Sequence, residues 1–152
     1  MPEPAAVPDL PDLPVTFRPG RTRAVLHVLG AACFVVITVI ALVLDTMSTG
    51  EQMSFILTAA LFWAVLGLLA RPKVVADETG VTVVNIARSR RLAWAEIVQV
   101  NLRPGDPWVF LNLTDGTSLA AMGIQPGIAR QSAIRDAKTL RALTETRTAA
   151  QG

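Results

Sequence analysis

Two apolar runs separated by one short polar loop constrain this chain more than any other feature. Ala24–Leu44 is 21 residues without a charged side chain, and Ser54–Ala70 adds 17 more. As helices rising 1.5 Å per residue they reach roughly 31 Å and 26 Å, close to the ~30 Å hydrocarbon core of a bilayer. The intervening loop 45–53 carries Asp45, Glu51 and small polar residues. A transmembrane α-helical hairpin over 24–44 and 54–70 is predicted. Two buried helices of a soluble domain would leave about 80 residues downstream to cover them, which is too few.

Arg18, Arg21 and Arg23 precede the first run, and Arg71 and Lys73 follow the second, while the loop has no Lys or Arg. That asymmetry predicts a multi-pass protein of the plasma membrane with two helices and both termini cytoplasmic. On the second helix Ala60, Ala64 and Gly67 form a small-residue stripe, with Gly30 and Ala31 as the matching surface on the first. Packing of the hairpin on itself is the favoured use of the stripe, and a homodimer seam is the alternative. Trp63, in mid-helix, is expected to pack against a neighbour.

The same inventory excludes much chemistry. A net charge of +2 gives no case for a nucleic-acid partner. His27 and Cys33 are the only residues of their kinds, and both lie in the first apolar run. No disulfide, metal-ligand set or Ser/His/Asp arrangement follows from them. Phosphate-binding glycine motifs are missing, and the carboxylates after residue 71 fall in turns or on a helix surface. The expectation is no catalytic, cofactor-binding or metal-binding residue, and a protein that is not an enzyme.

Along the chain, residues 1–23 read as a disordered Pro-rich cytoplasmic tail, since Met1–Pro14 holds five of the ten prolines. Val15–Arg23 reads as an interfacial approach, with Phe17 among acyl chains and arginines on headgroups. After Pro72 the period becomes two. Strands are expected at Val74–Ala76, Val81–Ala87, Arg91–Trp94, Val98–Arg103, Trp108–Leu113 and Ser118–Ile124, with Val98, Val100 and Leu102 on one face. Gly80 ends a turn where positive φ is useful. Ser132 is a plausible N-cap for an amphipathic helix to about Arg147, burying Ala133, Ile134, Ala137, Leu140 and Leu143, and 148–152 should be a disordered tail.

Gly80-Val81-Thr82-Val83, Trp94-Ala95-Glu96-Ile97 and Asp115-Gly116-Thr117, in this order behind a hairpin, resemble the bacterial pleckstrin-homology (PH) domains. The nearest likeness is to the actinobacterial low-molecular-weight protein antigen 6 family. The resemblance implies that 71–147 is a small all-β PH-like barrel of antiparallel strands capped by the C-terminal amphipathic helix. It makes Gly80, Trp94, Ile97, Asp115 and Gly116 a structural signature, with Trp94 in the barrel wall and Ile97 as a core plug. Six strands are counted where the full fold has seven. Phosphoinositide-binding PH members use a basic loop between their first two strands. Here Asp77-Glu78-Thr79-Gly80 takes that place and is acidic, so that mode is not expected.

The implied function is a non-catalytic interaction or scaffold module, or an accessory subunit of a larger membrane complex, at the cytoplasmic face. Its protein partner would meet an exposed sheet edge or the aromatic Trp108. The alternative is a sensor of anionic lipid headgroups through basic turns. If the strands run up and down from the membrane, Arg71, Lys73, Arg88, Arg90, Arg91 and Arg103 fall near membrane lipids, and Asp77, Glu78, Glu96 and Asp115 fall at the far end.

Overall fold

The computed structural model describes residues 9–152, so the first eight residues of the tail expected at 1–23 lie outside the described residues. The described chain divides into two units, one of residues 20–71 and one of residues 9–19 with 72–152.

The first unit is a pair of helices, α1 (Gly20–Val43) and α2 (Thr49–Leu69), each long and apolar enough to cross a membrane. Helix α2 starts earlier than the apolar run because the loop caps it. Ser48 accepts from the Glu51 N–H at 3.4 Å, and the Glu51 carboxylate accepts from the Ser48 N–H at 2.8 Å. The seam between the helices is not the expected stripe, for Ala60 and Ala64 are exposed while Ala59 and Leu66 are buried. Trp63 does pack against its neighbour: it lies over Gly30, where any Cβ would fall on its ring, and 5.7 Å from Phe34. Among the described residues 22 large hydrophobic side chains are exposed, and 19 of them lie between Val25 and Leu69, far more apolar surface than water tolerates in one patch.

The second unit holds seven strands and one long helix. They are β1 (Val15–Phe17), β2 (Lys73–Ala76), β3 (Gly80–Val84), β4 (Ser89–Ala93), β5 (Ile97–Asn101), β6 (Val109–Leu113), β7 (Ser118–Ala121) and α3 (Arg130–Gln151). One antiparallel sheet runs β1-β2-β3-β4 and the other β5-β6-β7. The seventh strand is β1, which comes before both apolar helices and pairs with β2, Val15 opposite Ala76 and Phe17 opposite Val74. The helical hairpin is therefore an insertion in the loop between the first two strands of one domain.

This corrects two expectations. Phe17 is 5% exposed inside the core, not set out for acyl chains, and Leu10, Leu13 and Val15 pack around the same core. The acidic turn at Asp77–Gly80 joins the second and third strands, since the loop between the first two is the hairpin itself.

The core lies between the sheets, with Val74, Val81, Val83 and Leu92 on one side and Val100, Val109 and Leu111 on the other. A short 3₁₀ turn, Trp94–Glu96, carries the chain from one sheet to the next, where the Glu96 carboxylate accepts the Ala93 N–H at 2.7 Å. Asn85 ties the opposite corner. Its amide donates to the Ala120 carbonyl at 2.7 Å, and its oxygen accepts the Met122 N–H at 3.1 Å. Gly123 closes that corner, because a Cβ there would stand 2.5 Å from the Lys73 carbonyl carbon.

A register shift between Ile97 and Gln99 sends both Ile97 and Val100 inward and leaves Val98 64% exposed, against the expected alternation. Helix α3 begins at Arg130 after Ala129, not at Ser132, and continues to Gln151 through the expected tail. It buries Ala133, Ala137, Leu140, Leu143 and Thr144, while Ile134 turns outward at 38% exposed. Arg141 fixes the helix to β5 with hydrogen bonds of 3.2 and 2.8 Å to the Val100 carbonyl.

Candidate functional surface

The basic residues singled out in the sequence do not form one cluster. Lys73 is half-buried on β2 opposite Val84, and Arg71 is exposed just after α2. Arg88, Arg90 and Arg91 belong to the β3–β4 hairpin, whose turn is closed by the Asn85 N–H donating to the Arg88 carbonyl at 2.8 Å. Arg88 is exposed there. Arg91 lies across from Thr82 and reaches back along the strand to Asp77 at 2.9 Å, donating also to Thr82 and Thr79 hydroxyls. Arg90 is 3.8 Å from Asp115, and Arg147 is 2.6 Å from Glu78.

The expected division into a basic end and an acidic end is thus absent at Arg90 and Arg91. Each reaches a carboxylate assigned to the far turns. Two physical reasons account for it. An arginine stem spans two residues of strand, and the break at the 3₁₀ turn stops the strands from forming one up-and-down series. Pairs this exposed contribute about 0–1 kcal/mol each, but they occupy the guanidinium groups.

The signature residues have structural work. Trp94 is fully buried, and its indole N–H donates to the Asp77 carbonyl at 3.0 Å. Ile97 is 2% exposed. Asp115 accepts the Thr117 N–H and O–H at 2.8 and 2.6 Å, and Gly116 takes a φ of 82° in the same turn. Gly80 is not at positive φ. Its role is close approach, since a Cβ would fall on the Leu92 carbonyl oxygen. Trp108 is half-buried, tilted on Phe110 at 6.5 Å, with its indole N–H buried and without an acceptor among the described residues.

Asp77 concentrates the electrostatics. It accepts the Thr79 N–H at 2.9 Å and its O–H at 2.8 Å, and the Gly80 N–H at 3.1 Å. The Thr79 backbone bond first, then its hydroxyl, and Arg91 last, hold the Asp77 carboxyl down at about 2. A depressed carboxyl stabilises the fold above its unfolded value near 4, and that contribution is lost as pH falls from ~4 through ~2. Asp115 is lowered in the same sense by Thr117, whereas burial raises Asp136, whose cost is relieved on acidification. Asp77→Asn should therefore flatten the loss of stability between about pH 4 and pH 2, leaving neutral stability lower. Urea midpoints of the detergent-solubilised chain across that range check this.

Sequence reasoning passed over one face. Helix α3 presents Arg130, Gln131, Ile134, Arg135 and Lys138 to two grooves that share Ile134. One, of about 480 Å³, lies between α3 and Asp9-Leu10; the other, of about 220 Å³, lies against the 102–106 loop with Arg103. The alternating charge of α3 reads as an ordinary solvated face, and only the outward turn of Ile134 marks it. Among the described residues no three His, Cys, Asp or Glu side chains come together as a metal set.

Sheets of four and three antiparallel strands, joined at two corners with a C-terminal helix across them, define a PH-type module. Residues 71–143 match the family described as Bacterial PH domain. The match starts after the helices and so leaves out β1. No curated protein and no solved structure matches the chain.

Proposed function

We propose that this protein is a membrane-anchored PH module that docks a protein partner non-catalytically at the cytoplasmic face of the plasma membrane. The observation that carries the reading is the insertion of two membrane-length apolar helices between β1 and β2. Neighbouring strands hold the two chain ends of the hairpin together, so both emerge on one side of the bilayer. The flanking arginines and lysine, against none in the 45–48 loop, support a cytoplasmic assignment of that side. A cysteine at Thr46, on a Cys33→Ser background, should react with an impermeant thiol reagent in intact cells. One at Thr117 should react only after lysis, and labelling of Thr117 in intact cells would reverse the orientation.

Docking is supported by the open edge of β4 and by Val98 on β5, a strand whose Val100 carbonyl is already taken by Arg141. Strands β4 and β5 are not paired with each other, and among the described residues Val98 is the one large hydrophobic exposed on a strand. Such an edge accepts an extended segment by main-chain pairing. A stoichiometric partner should co-purify with the full chain in mild detergent and be lost with Val98→Lys. A chain that purifies alone, or a partner indifferent to that change, contradicts the reading.

A further inference from the structure

We infer that the exposed face of α3, with the 102–106 loop, is a docking surface for an anionic lipid bilayer. Most other cations of the domain are engaged: Arg90 with Asp115, Arg91 with Asp77, Arg147 with Glu78, and Arg141 with the Val100 carbonyl. On this face Arg103, Arg130 and Lys138 have no carboxylate partner among the described residues, and Arg135 is 76% exposed with Asp136 only at 3.9 Å. The nearby carboxylates do not cancel them. Asp106 accepts the Arg103 backbone N–H at 2.8 Å, Asp136 is 26% exposed and Asp9 stands at one groove, so three carboxylates face four cations and a positive excess remains.

The second observation is apolar. Among the described residues outside the hairpin, Val98, Ile128 and Ile134 are the large hydrophobic side chains that are exposed. Two of those three belong here, Ile134 between the grooves and Ile128 two residues before Arg130. Cations around exposed aliphatic side chains complement a headgroup layer, with charge at the phosphates and alkyl groups at the acyl boundary. Two isolated isoleucines among cations lack the contiguous apolar core that a stable protein interface buries.

Proximity adds to this and is the one part that rests on the anchoring proposed above. Only Arg18-Pro19 and Ala70-Arg71-Pro72 separate β1 and β2 from the helices, so the face meets a bilayer at high effective concentration. A surface needs little intrinsic affinity under those conditions. This surface is distinct from the β3–β4 turn, whose arginines are mostly paired.

The test uses the full chain with Cys33→Ser and Gln131→Cys carrying a polarity-sensitive dye, reconstituted in nanodiscs. Emission should shift to the blue in discs containing phosphatidylglycerol but not in pure phosphatidylcholine, and the shift should reverse as salt shortens the Debye length. Each of Arg103, Arg130 and Lys138 changed to Ala should weaken docking about fivefold, and all three together about a hundredfold, at the usual strength of a surface cation. Arg103→Lys with Arg130→Lys should restore it, and Ile128→Ser should weaken it with the charges intact. Equal spectra in both lipids would overturn the inference. So would a dye at Gln131 that answers to soluble polyglutamate in detergent but not to anionic discs. Failure here leaves the thiol-labelling result untouched, which separates this face from the anchoring.

Discussion

A fragment that begins at Lys73 should fail to fold cooperatively, although it contains all but the first two residues of the family match. It lacks β1, and with it Phe17 in the core and the packing of Leu10, Leu13 and Val15. Loss of a buried Phe side chain alone costs about 3–5 kcal/mol, within a total near 5–15 kcal/mol for a domain of this kind. Removing a sheet neighbour as well exposes the backbone edge of β2. The register gives a direct remedy. With Phe17 opposite Val74, Arg18 falls opposite Lys73, so residues 9–18 joined to 73–152 by Asn-Gly form a two-residue β-hairpin. That soluble chain should melt in one sharp transition, measured by near-ultraviolet circular dichroism, where the fragment from Lys73 shows none. A cooperative melt of the shorter fragment would mean that β1 is dispensable.

In the same joined chain, Trp94→Ala should cost about 3–5 kcal/mol. The side chain is fully buried at the turn between the two sheets, its N–H is satisfied by the Asp77 carbonyl, and its own carbonyl accepts the Thr148 hydroxyl at 3.4 Å. Truncation opens a cavity where β2, the 3₁₀ turn and α3 converge, and leaves the Asp77 carbonyl short of a donor. Denaturant midpoints should fall far enough that the variant is largely unfolded at 37 °C. A variant as stable as its parent would place Trp94 at a surface and make it a binding residue.

Much of this architecture is written in local pattern. Hydrophobic length gives the two helices, a β-branched run gives β3, an apolar run bounded by turns gives β6, and the Trp94–Ile97 and Asp115–Thr117 signatures lead to the PH family. What escaped the sequence depends on distant partners. Val15-Thr16-Phe17 is too short to show a period, is bracketed by prolines, and becomes a strand only because β2 returns beside it beyond both helices. The face of Val98 depends on a bulge that alternation does not announce. Charges mislead for a related reason: Arg91 is near Arg88 in sequence, yet its guanidinium lies at the other end of the strand, on Asp77. Helix α3 was visible, but not that Ile134 faces out, because two aliphatic neighbours at one helix boundary cannot both face in.

A single cross-link in the native membrane tests whether one PH domain is split by a membrane hairpin. Thr16 and Val75 are direct partners in the β1–β2 ladder, and facing residues of antiparallel strands stand within reach of a disulfide. With Cys33→Ser, a chain carrying Thr16→Cys and Val75→Cys should close an intramolecular disulfide on mild oxidation of isolated membranes. It should then resist separation after proteolysis in the 45–48 loop until reduced. A chain that stays reduced, falls into two pieces after cleavage, or forms only cross-linked dimers would contradict the insertion.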